Sequence, residues 1–160
     1  MPVSSLTSTH CIKLFSHFIH PGKDHRDGDH LCLVTEILGG NVKFLQKSVN
    51  KAFPLPLAKR ILLHTLRGIV HMHSCKIVHT DLKHDNIMFD AGSLMNDDFA
   101  ALIEADPPRR HHSPEDGTFQ AAVSQPLPLP SVSEAMKRTY LVSDFGSGEL
   151  FFAFLYDGHG

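Results

Sequence analysis

Two short stretches of this chain carry side chains in an arrangement that chemistry can use. The first runs His79-Thr80-Asp81-Leu82-Lys83-His84-Asp85-Asn86 and the second is Asp144-Phe145-Gly146. Asp81 offers a carboxylate that can orient a hydroxyl group and accept its proton. Lys83, two residues on, can reach a phosphate in transfer. Asn86 offers an amide oxygen to magnesium, and Asp144 a carboxylate to the same metal. Phosphoryl transfer asks a protein for positioning and charge neutralisation more than for covalent chemistry, and these are the parts it uses. The second stretch alone is too short to carry weight. The two together, in this order, are specific.

Composition bounds the fold that must hold these residues. At 160 residues the chain is one ordinary domain or a piece of a larger one, and its 42% hydrophobic content is enough for a core. A net charge of -2 argues against direct binding of nucleic acid. No apolar run is long enough to span a membrane. The start, Met-Pro-Val-Ser-Ser, lacks the basic-then-apolar layout of a secretory signal. Cys11, Cys32 and Cys75 are odd in number and form no C-x-x-C pair, which fits a reducing, intracellular setting in cytoplasm or nucleus. His71-x-His73, His17-x-x-His20 and His111-His112 make no zinc pattern with cysteine, so the histidines read as scattered surface residues, His79 apart.

The elements around the two stretches follow from periodicity. Cys11 to Phe18 reads as a strand, Pro21 to His30 as an exposed turn, and Leu31 to Thr35 as a short buried strand. Gly39-Gly40 breaks the chain. Val42 to Asn50 fits a short amphipathic helix. Leu57 to about His73 is the strongest helix, with Ala58, Ile61, Leu62, Leu66, Ile69, Val70 and Met72 at helical spacing and prolines at its start. Ile77-Val78 and Ile87-Met88-Phe89 flank the first stretch as strands, and Tyr140-Leu141-Val142 leads into Asp144 as a third. Between them, about 90–139 reads as an insertion, flexible or extended except for a helix at Asn96 to Ala105 capped by Asn96. Its Pro126-Leu-Pro-Leu-Pro130 run reads as a semi-rigid linker.

The first stretch resembles the catalytic loop H-R-D-L-x-x-x-N of protein kinases, with threonine for arginine, and the second their D-F-G motif. Lys83 two residues after Asp81 resembles serine/threonine kinases. Val34-Thr-Glu-Ile-Leu-Gly39, His79-Thr80-Asp81, Asn86-Ile-Met-Phe89 and Ser143-Asp-Phe-Gly-Ser147 resemble the SR-protein kinases, fungal members especially, as does the long gap of 58 positions between Asn86 and Asp144. The resemblance covers roughly Leu6 to Gly148. It implies an α+β, protein-kinase-like fold, partial in extent: the end of a small lobe, the hinge, and the first half of a helical large lobe, so that 1–160 is a partial kinase domain.

The resemblance further implies transfer of the ATP γ-phosphate to Ser/Thr hydroxyls of proteins, RS-rich ones included, with ATP and Mg2+ as cofactors. It puts Asp81 and Lys83 in catalysis and Asn86 and Asp144 on the metal. Thr35 is the gatekeeper, the backbone of Glu36 and Leu38 meets the adenine edge, and Met88 is the floor beneath the ring. His79 packs with Phe145 in a hydrophobic spine rather than acting as a base. Thr80 cannot form the ion pair that the usual arginine makes with a phosphorylated activation loop, so the resemblance implies activity independent of that modification. His84, where proline is common, is expected to matter little.

The 160 residues contain no G-x-G-x-x-G-x-V loop, no V-A-I-K-like strand before the hinge and no A-P-E segment. Phe151-Phe152-Ala-Phe154-Leu-Tyr156 is unlike the family's activation segment. The apolar faces of the long helix and the catalytic loop are therefore expected to be partly uncovered in this chain alone. The alternative function is a truncated, inactive remnant or pseudokinase-like binding module. A small-molecule phosphotransferase shares an H-x-D-x-x-x-x-N loop, but Lys83, Phe145-Gly146 and the hinge lean against it.

Overall fold

The structure is a computed structural model and describes residues 9–22, 28–107, 109, 123, 125–147 and 149–150. The chain divides into two compact units. One holds Leu14–Glu36 and Ser93–Leu127. The other holds the residues up to Lys13, Ile37–Gly92 and those from Pro128 onward.

In the first unit, β1 (Leu14–Pro21) pairs antiparallel with β2 (Asp29–Thr35), with the register slipping between Leu14 and Ser16. The first strand therefore starts later than its apolar pattern predicts and runs three residues further. The second is not buried as expected: Leu31 and Leu33 are about 60% exposed. Among the described residues the sheet has two strands, and apolar residues stand on both of its faces, a pattern that two strands alone cannot cover. This unit also contains α3 (Asn96–Ala105). Its cap is Met95, one residue before the expected Asn96, and the Met95 N–H donates to the Asp98 carboxylate at 2.7 Å.

The second unit is built on three antiparallel strands in the order β3 (Leu38–Asn41), β5 (Ile87–Asp90) and β6 (Tyr140–Val142). Gly39 and Gly40 do not break the chain but form part of β3. A Cβ at Gly39 would sit 2.8 Å from both the Asp90 carbonyl and the Phe89 ring, so glycine is what lets the strand lie against its neighbour. Two helices pack on this sheet. The first, α1 (Val42–Val49), is capped by the Asn41 side chain, which accepts from the Phe44 N–H at 2.9 Å, and it ends at Asn50 in the left-handed conformation. The second, α2 (Leu55–Ser74), starts after Pro54 with Pro56 in its first turn. Val42, Leu45, Leu57, Ile61, Phe89, Ala135 and Tyr140 form the main core; Cys11, Met72 and Val142 form a second, smaller one.

The buried stripe of α2 is Leu57, Ile61, His64, Thr65, Gly68 and Met72. It is rotated from the stripe that apolarity predicts, and Leu62, Leu66 and Val70 are exposed. Gly68 decides the choice. A Cβ there would lie 2.6 Å from the His10 carbonyl and 2.8 Å from a Val142 methyl, so the helix and the β6 layer meet at van der Waals distance only through glycine. Cys11, predicted to lie in the first strand, instead bridges Val142 in parallel and donates its thiol to the Gly68 carbonyl.

Two histidines read as surface residues are buried. His10 Nδ1 donates to the Tyr140 carbonyl at 3.0 Å, and the Tyr140 N–H donates to His64 Nδ1 at 3.1 Å. The two ring centroids lie 4.2 Å apart, with the planes tilted by 40°. The backbone groups of Tyr140 that face away from β5 are thus satisfied by side chains. Burial, and then the neighbouring His10, push His64 down to about 4; burial likewise lowers His10.

The last part of the presumed insertion is ordered into this unit. Ser131 and Glu134 cap each other at the start of α4 (Val132–Ala135), and the Tyr140 hydroxyl donates to the Ala135 carbonyl at 3.0 Å. Asp90 and Thr139 clasp each other: the Asp90 N–H donates to the Thr139 carbonyl and the Thr139 N–H to the Asp90 carboxylate, both at 3.0 Å. The apolar stretch at 151–156 lies outside the described residues.

Gly68→Ala should lower stability by about 1–3 kcal/mol through overpacking, although alanine is the better helix former; thermal unfolding of the variant checks this. His64 has a lower pKa folded than its ordinary 6.5, so the unfolded state takes up the proton first. Stability is then complete above about pH 6.5 and falls as pH drops toward 4. His64→Asn keeps an acceptor for Tyr140 and should flatten that decline in a series of melting curves.

Candidate active site

The site residues of both stretches lie in the second unit. β4 (Ile77–Val78) leads into His79, and β5 begins directly after Asn86. β4 pairs with β7 (Glu149–Leu150), and β5 pairs with β6, Ile87 opposite Val142. The two stretches are therefore brought side by side by sheet register. Ser143 completes the join: its N–H and its hydroxyl both donate to the Asn86 carbonyl, at 2.9 and 3.1 Å. Asp144 is the next residue.

Asn86 is buried, and its amide NH2 donates to the Asp81 carbonyl at 3.0 Å and to the Asp81 carboxylate at 3.3 Å. Lys83 Nζ donates to the same carboxylate oxygen at 2.6 Å. Hydrogen bonding to Lys83 is the main reason the Asp81 carboxyl is held below its usual range, and Asp81 in turn raises Lys83. Both side chains are nearly half exposed, so solvent screens the pair.

The backbone here is strained at two points. Thr80 has φ 62° and Asp144 φ 64°, in the left-handed region. A β-branched residue is rare there, and such strain costs on the order of 1–3 kcal/mol. At Thr80 the turn is closed by the Asp81 N–H donating to the His79 carbonyl at 2.8 Å. His79 is buried; its Nε2–H donates to the Ser143 carbonyl at 2.8 Å, and its ring lies 5.6 Å from that of Phe145. This is the packing expected of a structural histidine. His84 is exposed, 3.8 Å from Asp85.

The donor set suits a hard cation that takes oxygen ligands. With its NH2 turned to Asp81, Asn86 has its amide oxygen left for a metal. Asp144 is exposed, and among the described residues its carboxylate accepts no hydrogen bond. Of the four residues expected around adenine, Leu38 and Met88 lie on the neighbouring strands β3 and β5, where Met88 pairs with Asn41. Thr35 ends β2 and Glu36 follows it, both in the other compact unit; the Thr35 hydroxyl donates to the Glu36 carbonyl at 3.1 Å.

One contact had no signal in the sequence. Lys43, in the first turn of α1, meets Asp85 of the first stretch, with Nζ 2.9 Å from one carboxylate oxygen and 3.2 Å from the other. His64 carries a signal of burial in its spacing, falling on the same helical stripe as Ile61 and Gly68.

The model of the protein kinase domain matches residues 3–117, and the chain belongs to the protein kinase family. The matched span includes the catalytic loop and stops short of Asp144, whose placement rests on the register of β5 and β6. Within that family the chain is similar to SR-protein kinases, which are serine/threonine protein kinases. It is 43% identical over 86 residues to the serine/threonine-protein kinase SRPK of Physarum polycephalum, covering 52% of this chain and 20% of that protein. It is 33% identical over 103 residues to SKY1 of Saccharomyces cerevisiae, covering 63% and 13%. To SRSF protein kinase 3 of Homo sapiens it is 40% identical over 68 residues, covering 41% and 12%. The matched part thus spans a fifth or less of each of these relatives.

Replacing Lys83 with methionine should return the Asp81 carboxyl upward toward its ordinary range. An NMR titration of the Asp81 side chain reads this directly.

Proposed function

We propose that this chain carries the catalytic loop and metal-binding aspartate of a serine/threonine protein kinase that transfers the ATP γ-phosphate to Ser/Thr hydroxyls of proteins. RS-rich proteins are the substrate class, in the cytoplasm or nucleus. The observation that supports this best is the bracing of Asp81 by Lys83 and Asn86, with Asn86 joined to Ser143, the residue before Asp144. A carboxylate kept ionised and fixed from two sides can orient a substrate hydroxyl and take its proton. Lys83 is exposed enough to exchange Asp81 for a phosphate oxygen without a large desolvation cost. Asn86 and Asp144 would hold magnesium, which when bound neutralises phosphate charge. Leu38 and Met88, on the neighbouring strands β3 and β5, would receive the adenine; the part of Thr35 and Glu36, in the other compact unit, rests on the resemblance alone. The three cysteines, free among the described residues, fit the reducing setting.

Incubating the protein with Mg-ATP and an arginine-serine repeat peptide, and measuring phosphoserine formed, tests this reading. Asp81→Asn should lower kcat about 100- to 10,000-fold while leaving nucleotide affinity nearly unchanged. Asp144→Asn should instead weaken Mg-ATP binding. Equal loss of nucleotide affinity in both would overturn this division of roles. Nucleotide or peptide binding without transfer would favour the non-catalytic, pseudokinase-like alternative.

A further inference from the structure

Lys43 belongs to neither stretch, yet it grips the catalytic loop. It stands at the second position of α1, where a positive charge is disfavoured by the helix dipole, and the first turn of α1 contains no acidic residue of its own. Asp85 supplies the missing carboxylate from elsewhere in the chain, with both oxygens within 3.2 Å of Lys43 Nζ. The pair is only partly exposed, 38% for Lys43 and 28% for Asp85.

Each end of this contact is anchored independently. On the helix side, Asn41 caps α1 and pairs with Met88 across the sheet, while Val42 and Leu45 on either side of Lys43 are buried in the core. On the loop side, Asp85 directly precedes Asn86, whose N–H donates to the Lys83 carbonyl at 2.9 Å and whose side chain braces Asp81. The loop's other charged groups are mutually entangled. Lys83 feels Asp81, Asp85 and Asp144 together, and Asp85 feels Lys43, His84 and Lys83. Without Lys43, Asp85 would be left to compete with Asp81 for Lys83.

We propose that Lys43 is a positioning residue for phosphoryl transfer: by holding Asp85 against the first turn of α1 it keeps Asp85 away from Lys83 and fixes the loop that presents Asp81 and Asn86. Its effect on rate rests on the kinase reading above; its effect on the loop does not. Lys43 touches no reacting group, so its removal should lower kcat and leave the KM for ATP unchanged.

The test uses the full chain with Lys43→Met, Lys43→Arg, Asp85→Asn and the exchanged pair Lys43→Asp/Asp85→Lys. Kinetics with the arginine-serine peptide are measured beside amide hydrogen exchange at Asn86 and Ser143. Lys43→Met and Asp85→Asn should each lower kcat about 10-fold, as loss of an outer positioning contact commonly does, and speed exchange at both amides. Lys43→Arg should restore both. The exchanged pair should restore exchange protection at least in part. If Lys43→Met matches the parent in kcat and exchange, or if Lys43→Arg is as impaired as Lys43→Met, the proposal is wrong. If the parent transfers no phosphate, the kinase reading fails; the exchange data still decide the role of Lys43 in the loop.

Discussion

The structure of the site turns on one carbonyl group. The Asn86 oxygen accepts both the N–H and the hydroxyl of Ser143, and so joins two stretches of chain that are 58 positions apart in sequence. A buried acceptor with two donors is well satisfied, and breaking the contact would leave polar groups unpaired in the interior. The β5–β6 ladder continues from this point toward Tyr140, and the catalytic loop begins on its other side. Asp81 and Asp144 are therefore placed by strand register, a rigid device, although both are themselves in irregular backbone.

That arrangement explains how the site tolerates strain. Thr80 and Asp144 occupy left-handed backbone at the two places where chain direction must change sharply. Each strained residue is followed or preceded by a well-tied one: Asp81 by its bonds to His79, Lys83 and Asn86, and Ser143 by its bonds to Asn86 and His79. Further back, His10 and His64 hold the backbone of Tyr140 from the side opposite β5. Polar interactions of three kinds thus converge on β6, a strand of three residues with no exposed side chain.

Much of this was legible in the sequence, for identifiable reasons. The loop at His79 to Asn86 is a local motif, so its parts could be named from its resemblance to the protein-kinase catalytic loop. The helices at Val42 and Leu55 announce themselves by period and by prolines. Prediction failed where a tertiary contact decided what the local sequence could not. The apolar residues of α2 at helical spacing marked one stripe for burial, and the approach of His10 and Val142 at Gly68 selects another that includes His64, Thr65 and Gly68. Gly39-Gly40 read as a break because glycine marks both turns and close strand contacts. The Lys43–Asp85 pair joins residues 42 positions apart and has no periodicity to betray it. The helix at Val132 was hidden in a segment whose prolines suggested extended chain, although Ser131 and Glu134 are spaced as a capping box.

The clasp between Asp90 and Thr139 has a consequence for how such a chain can change over time. The two residues fix each other through a pair of hydrogen bonds, so the ends of the long excursion between them are held together whatever that excursion contains. For a flexible loop closed at its base, doubling the number of residues adds only about 0.6 kcal/mol of closure entropy. Residues between Asp90 and the start of α4 can therefore be gained or lost at small thermodynamic cost, while α4, which carries the core residue Ala135, and the strands next to Asn86 and Asp144 keep their alignment. The fold separates a region free to diversify from a register that is not.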